Sequence, residues 1–240
     1  MKILHLYYDI MNLYGEYGNI SALERVLQKS NVEITTDRLT LGDSADIETY
    51  DFIYVGSGTE SNQKIVLEDF KKYREKLALC IENGTPILMT GNSFEMLGKT
   101  ITDCNGKAYD GLGIFEFTSV EQNKKRLTGD VICTADFSTK PFVGFINKCS
   151  EINGITSPLF TVKYGMGDNS QSKNEGLHCK NLFGTHVTGP LMIKNPHFLL
   201  HIADIISKRN QGFEVCASHL DYERKGYEIT LNELSKRFEE

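Results

Sequence analysis

Nowhere among the 240 residues is there an apolar run of the roughly twenty positions that a bilayer crossing needs, so a membrane span is excluded. The opening Met1-Lys2-Ile3-Leu4-His5-Leu6-Tyr7-Tyr8-Asp9 turns polar too soon for a secretory signal, and the expected location is the cytoplasm. Basic clusters are missing as well. The 26 Lys and Arg are outnumbered by 32 Asp and Glu, a net charge of −6, and nucleic acid or an anionic membrane would need a local surplus of cations. Partners are expected among proteins and small molecules. The six cysteines (Cys80, Cys104, Cys133, Cys149, Cys179, Cys216) contain no C-x-x-C pair. Compact metal sites usually draw two ligands from one turn, so no metal and no cofactor is expected, and the thiols are read as reduced and mostly buried. Tryptophan is absent, as are linker-like stretches, low-complexity tracts and internal repeats.

What is present alternates between two periodicities over the first ninety residues, the pattern of strands and helices in a βαβ sheet. Residues 3–7, 32–39, 51–55 and 86–90 read as strands, and residues 20–27 and 63–82 as helices, the second closed by Asn83-Gly84 as a C-cap. The second half is richer in strands, with candidates at 113–117, 126–134, 142–145, 159–164 and 182–187 separated by Gly, Asn, Asp and Ser clusters. Residues 196–207 read as a helix and 227–240 as a charged, peripheral one. The expected fold is α/β: a central, mostly parallel sheet flanked by helices.

Ligands of such a sheet bind outside the carboxyl ends of its strands, which directs attention to the turns Gly56-Ser57-Gly58 and Gly91-Asn92-Ser93. Glycine there lets the backbone approach a ligand and aim N–H groups at an anion. Strand, sharp turn and helix over residues 88–97 have the layout of a nucleophile elbow, yet no cysteine stands at its tip.

Several stretches keep one order along the chain: Met11-Asn12-Leu13-Tyr14, Gly18-Asn19-Ile20, Gly56-Ser57-Gly58 with Gln63, Leu97-Gly98-Lys99, Gly111-Leu112-Gly113-Ile114, Arg126-Leu127-Thr128-Gly129-Asp130, Tyr164-Gly165-Met166-Gly167, Lys180-Asn181-Leu182-Phe183-Gly184-Thr185 and Gly189-Pro190. With them the chain resembles the class I glutamine amidotransferases of the CobB/CobQ type, and within these the GatD-like glutaminase subunits of lipid II isoglutaminyl synthase. The resemblance implies a flavodoxin-like amidotransferase domain over residues 1–205, followed by a charged helical tail over 206–240. It also implies a heterodimer with a MurT-like ligase subunit, which would amidate the D-glutamate of the peptidoglycan stem peptide with ammonia released from glutamine. In such chemistry a cysteine thiolate attacks the amide, a histidine moves the proton and backbone N–H groups hold the oxyanion.

Carried over residue by residue, the family's nucleophilic cysteine falls on Gly91 and its catalytic histidine on Thr188, so both catalytic positions are substituted. A third departure places Lys148 where the family carries histidine in an Asn-His-Gly stretch, here Asn147-Lys148-Cys149. Gly58, whose N–H would face the oxyanion, Arg126, which would contact glutamine, and Asn92 remain as implied substrate-binding positions. The expectation is a pseudo-amidotransferase that keeps fold and interface without glutaminase chemistry. Two alternatives stand beside it: a glutamine-hydrolysing enzyme with a rearranged site drawn from Ser93, His186 and Cys149, and a sensor binding an amino acid through Arg126. His186 lies two residues from Thr188, about 7 Å along a strand, too far for a proton relay without rebuilding the loop.

Overall fold

Four short runs, β1 (Lys2–Leu6), β2 (Thr35–Leu39), β3 (Phe52–Val55) and β4 (Ile87–Thr90), form most of the central sheet of the computed structural model, which describes residues 1–123, 126–210 and 212–239. A fifth parallel strand, Leu182–Thr185, pairs with β4, and the antiparallel Leu177–Cys179 closes that edge. From that edge the order is Leu177–Cys179, Leu182–Thr185, β4, β3, β1, β2, a doubly wound arrangement.

The inner strands are buried on both faces, and alternation along them sorts side chains into two cores. Ile3, Phe52, Tyr54, Leu88 and Phe183 face one layer, against α1 (Tyr17–Lys29) and α5 (Pro196–Arg209). Leu4, Ile53, Val55, Ile87 and Met89 face the other, against α2 (Glu60–Phe70) and α3 (Arg74–Glu82). The short α4 (Leu191–Lys194) packs on α1 and α5.

Two antiparallel-rich sheets make up the strand-rich second half. One holds Thr100–Thr102, Ala108–Asp110, Thr118–Glu121 and Ser150–Asn153; the other holds Leu127–Thr134, Phe142–Lys148, Phe160–Tyr164 and Asn174–Glu175. Of these, Thr100–Thr102, Ala108–Asp110, Thr118–Glu121, Ser150–Asn153 and Asn174–Glu175 went unread in the sequence, as did Leu177–Cys179, because they are too short or too half-exposed to alternate visibly. Residues 113–117 are not a strand. Gly113 adopts φ +59°, and the N–H groups of Gly113, Ile114 and Phe115 donate to the carbonyls of Gly98 and Leu97, wrapping the segment round the end of the elbow. The single helix expected over 63–82 is two, α2 and α3, separated by a 3-10 turn at Lys71–Tyr73. Gly84 at φ +68° ends α3 in the predicted manner.

Helix α5 continues to Arg209 with Ile206 buried, and the last helix, α6 (Asp221–Glu239), lies along the outside of the molecule. Gln211 and Glu240 of the predicted tail lie outside the described residues. Tyr227 and Leu234 of α6 pack on Ile132 and Val143, and the Tyr227 hydroxyl donates to the Pro141 carbonyl at 2.9 Å. Among the described residues no helix is long and apolar enough to cross a membrane. Leu234→Ala should lower the unfolding free energy by about 2–3 kcal/mol in urea titration, the cost of deleting a buried leucine; an unchanged midpoint would mean that α6 is not docked.

Candidate functional site

β4 ends at Thr90, and the chain turns sharply through Gly91 into a 3-10 helix, Gly91–Leu97. Gly91 is buried with φ +63°, the left-handed conformation an elbow tip requires. The space that its side chain would need is taken. A Cβ built on Gly91 would collide with Oγ and Cβ of Ser57 and lie 3.2 Å from Ser57 Cα. Ser57 belongs to the turn after β3, so the two glycine turns predicted to flank the site do meet, and one closes over the other.

The turn at Gly58 is also self-satisfied. The Gly58 N–H donates to Asn92 Oδ1 at 3.0 Å, while Asn92 Nδ2 is buried with no partner. Gln63 Nε2 donates to the Asn92 carbonyl at 2.6 Å, locking the turn against α2. The Ser93 hydroxyl donates to the carbonyls of Thr90 and Val55 at 2.8 and 3.1 Å, so it braces the elbow from inside.

Thr188 stands on the far side. Its backbone pairs with Phe145, and its hydroxyl donates to the Phe145 carbonyl at 3.0 Å. The neighbours of Gly91 and Thr188 are tied by one carboxylate: Glu16 accepts from Thr90 Oγ1 before Gly91 and, at 3.4 Å, from the Gly189 N–H after Thr188. Tyr54 donates to Glu16 at 2.6 Å. Burial pushes the Glu16 carboxyl above its ordinary range, against the hydrogen bonds from Thr90, Tyr54 and Gly189.

Between these turns and the two antiparallel sheets lies a cleft of about 300 Å³, of which only about 10 Å³ is open to the centre of a water molecule. Gly58, Asn92 and Arg126 line it, together with His186 and Cys149; Gly91 and Thr188 do not. Its own side chains fill its mouth. Arg126 Nη1 pairs with Glu60 at 2.5 Å, and Arg126 Nε and Nη2 donate to Asn147 at 2.7 and 3.1 Å. The Cys149 thiol donates to the same Glu60 carboxylate at 3.3 Å. Burial and the Glu60 charge push that thiol up to about 12, which keeps it protonated and unreactive at neutral pH.

Behind the cleft is a buried charged cluster that the sequence reading did not anticipate beyond His186. His186 Nε2 meets Glu95 Oε1 at 2.8 Å, and Ser119 and Ser150 hydroxyls donate to the same carboxylate, Ser150 at 2.6 Å. Burial opposes ionisation of Glu95, but His186 and the two serines outweigh it and hold the carboxyl down at about 2. Burial and Lys148 likewise oppose the imidazolium, and Glu175 and Glu95 outweigh them, raising His186. Lys148 is buried, its ammonium donating to the carbonyls of Gly167 and Asp168 at 2.8 and 2.7 Å. Burial and Glu175 push Asp168 up to about 7. Asp168, Glu175 and His186 bring ligand atoms within 4.8 Å of one another.

Ser57, Glu60 and Glu95 are the site residues that sequence reasoning passed over. Ser57 offered a signal as a side chain between two glycines of a tight turn, and Glu95 as a carboxylate inside an otherwise apolar elbow helix. Glu60 offered none.

The fold is that of class I glutamine amidotransferases, and the chain belongs to the CobB/CobQ-like glutamine amidotransferase domain family, whose model matches residues 2–196. It is 31% identical over 218 residues to the lipid II isoglutaminyl synthase (glutamine-hydrolyzing) subunit GatD of Streptococcus pneumoniae, covering 90% of this chain and 84% of that one. To the subunit of the same name from Staphylococcus aureus it is 33% identical over 196 residues, covering 81% and 79%. A glutamine amidotransferase from Thermotoga maritima shares the fold, with a TM-score of 0.53 at 11% identity over 98% of this chain and 94% of that one.

The Glu95–His186 pair makes the site's clearest energetic prediction. Removing one partner of a buried pair strands the other charge, so Glu95→Gln should cost about 3 kcal/mol at pH 7. Because Glu95 is held below its unfolded value, this stabilisation is complete above about pH 4.5 and fades as pH falls toward 2. Urea titrations of wild type and variant should therefore converge progressively as pH falls from about 4.5 toward 2; a gap independent of pH would contradict the ion pair.

Proposed function

We propose that this chain is a GatD-like subunit that has kept the amidotransferase fold and lost glutamine hydrolysis, and that it serves a MurT-like ligase in the cytoplasm as scaffold or regulator. One observation carries the reading: at the elbow tip, where the family resemblance puts the nucleophile, stands Gly91, with Ser57 in the space a side chain would occupy. The mutual fit of these two residues is what a site settled into life without a nucleophile requires. Thr188, at the implied histidine position, has no imidazole to give, and its hydroxyl is spent on the Phe145 carbonyl. Asn92 takes up the Gly58 N–H that would otherwise await an oxyanion.

The residues offered for a rearranged hydrolase do other work. Ser93 donates to two main-chain carbonyls, Cys149 keeps its proton, and His186 is held by Glu95. A glutamine sensor finds little support either, since Arg126 is already engaged and the cleft lacks open volume. Loss of nucleophile and base leaves only binding and oxyanion effects, a fall on the order of 10⁴ to 10⁶ in rate for acyl-transfer chemistry. A partnered ligase then draws on free ammonia.

The test is glutamate release from glutamine by the chain alone and mixed with a MurT-like ligase. Release at buffer background in both, with ligase turnover supported by ammonium and not by glutamine, is expected; enzymatic release would overturn the reading. Gly91→Cys by itself should destabilise the chain by about 1–3 kcal/mol from this φ, with the collision against Ser57 added to it, and Ser57→Gly in the same chain should recover the collision part alone. Strictly additive effects would mean that the two residues do not compete for one space.

A further inference from the structure

The buried cluster behind the cleft holds more acid than the proposed function uses. Three carboxyl groups, Glu95, Asp168 and Glu175, face two bases, Lys148 and His186, and all five side chains are almost wholly buried. We infer that Asp168, Glu175 and His186 form a binding site for one divalent transition-metal cation of the Zn²⁺ or Mn²⁺ class.

Geometry carries the assignment. One ligand atom from each residue lies within 4.8 Å of the other two, and each comes from a different segment: the loop before Asn169, the Asn174–Glu175 strand, and the turn after Leu182–Thr185. His186 Nδ1 is buried and has no hydrogen-bond partner among the described residues. It points at Glu175 Oε1 across 3.7 Å. That is too long for a hydrogen bond, yet it is the span of two ligand bonds of about 2.1 Å meeting at one ion.

The surroundings are those of a supported metal ligand set. A metal-bound imidazole commonly donates its other N–H to a carboxylate, and Nε2 of His186 meets Glu95 at 2.8 Å, so an ion would bind at Nδ1 in exchange for the proton there. Thr185 Oγ1 and the His186 N–H donate to the two Glu175 oxygens at 2.5 and 2.7 Å, and the Gly176 N–H donates to Asp168 Oδ1 at 3.0 Å. Each carboxylate oxygen keeps a second lone pair for an ion. Lys148 does not take the ion's place, because its ammonium donates to the main-chain carbonyls of Gly167 and Asp168 and not to either carboxylate. With the Nδ1 proton of His186 displaced by the ion, one divalent cation and the Lys148 ammonium together balance the three carboxylates. The bound ion would clasp the Asp168 loop and the Glu175 strand to the end of the central sheet, directly beneath the Glu95 wall of the cleft. A scan for close ligand pairs misses such a site, since its ligands are seven and eleven residues apart.

Metal content of the full-length chain tests this independently of any glutamine chemistry. The chain is produced in Zn²⁺-supplemented medium and, separately, unfolded and refolded with Zn²⁺, then freed of loose metal with a chelator. About one equivalent of zinc should remain, falling at least about tenfold in Asp168→Asn and Glu175→Gln. Six free thiols also attract zinc, so the native chain is loaded with Co²⁺ as well. Its visible spectrum should show nitrogen and oxygen ligation without the near-ultraviolet thiolate band, a result that stands even if a variant fails to fold. Less than about a tenth of an equivalent in both preparations, undiminished metal in the folded variants, or a thiolate band would each overturn the assignment.

Discussion

A single carboxylate without a cationic partner among the described residues, Glu16, holds the functional end of the molecule together. It sits at the start of α1 with no solvent exposure, and the groups that reach it come from β3 (Tyr54), β4 (Thr90) and the loop after Thr188 (Gly189). Asn19, one turn on, extends the same network by donating to Tyr54 at 2.9 Å and accepting from the Met192 N–H of α4 at 2.8 Å. Burying such a group is costly unless its lone pairs are met, so satisfying Glu16 forces the four segments into one arrangement. The elbow's placement opposite Thr188 follows from that constraint whether or not either position carries a reactive side chain. On the proposed reading, this constraint is how the scaffold persists with its chemistry removed.

Close packing fills the region around the elbow. Gly91 keeps the φ of an elbow, Ser57 closes over it, Asn92 turns inward onto Gly58, and Glu60 draws Arg126 and Cys149 across the mouth of the cleft. Each contact is modest; together they leave almost no room for a ligand. The interior behind them is unusually rich in ionisable groups, and the energy of that cluster rests on pairing, Glu95 with His186 above all.

The sequence made the central sheet legible because its strands are buried on both faces: Phe52 to Val55 and Ile87 to Thr90 are continuous apolar runs ended by glycine turns, and the glycines mark where the chain changes direction. Short strands such as Thr100–Thr102 and Ser150–Asn153 were not legible, since three or four residues with one buried face carry too little period. Residues 113–117 looked like a strand by composition, but their backbone bonds go to the elbow's end. At the site, the resemblance directed attention to Gly91, Thr188, Gly58, Asn92 and Arg126, and the structure brings the last three into one cleft. The competition between Ser57 and the elbow tip was not legible, because it depends on two turns separated by 33 intervening residues meeting in space.

The central claim, that this cleft contains no working nucleophile, is met most directly by mass spectrometry of the intact chain after exposure to an electrophilic glutamine analogue such as a diazoketone. The account predicts an unchanged mass under conditions that label a glutamine-hydrolysing relative to completion. An adduct that free glutamine suppresses, mapping to Ser57, Ser93 or Cys149, would contradict it.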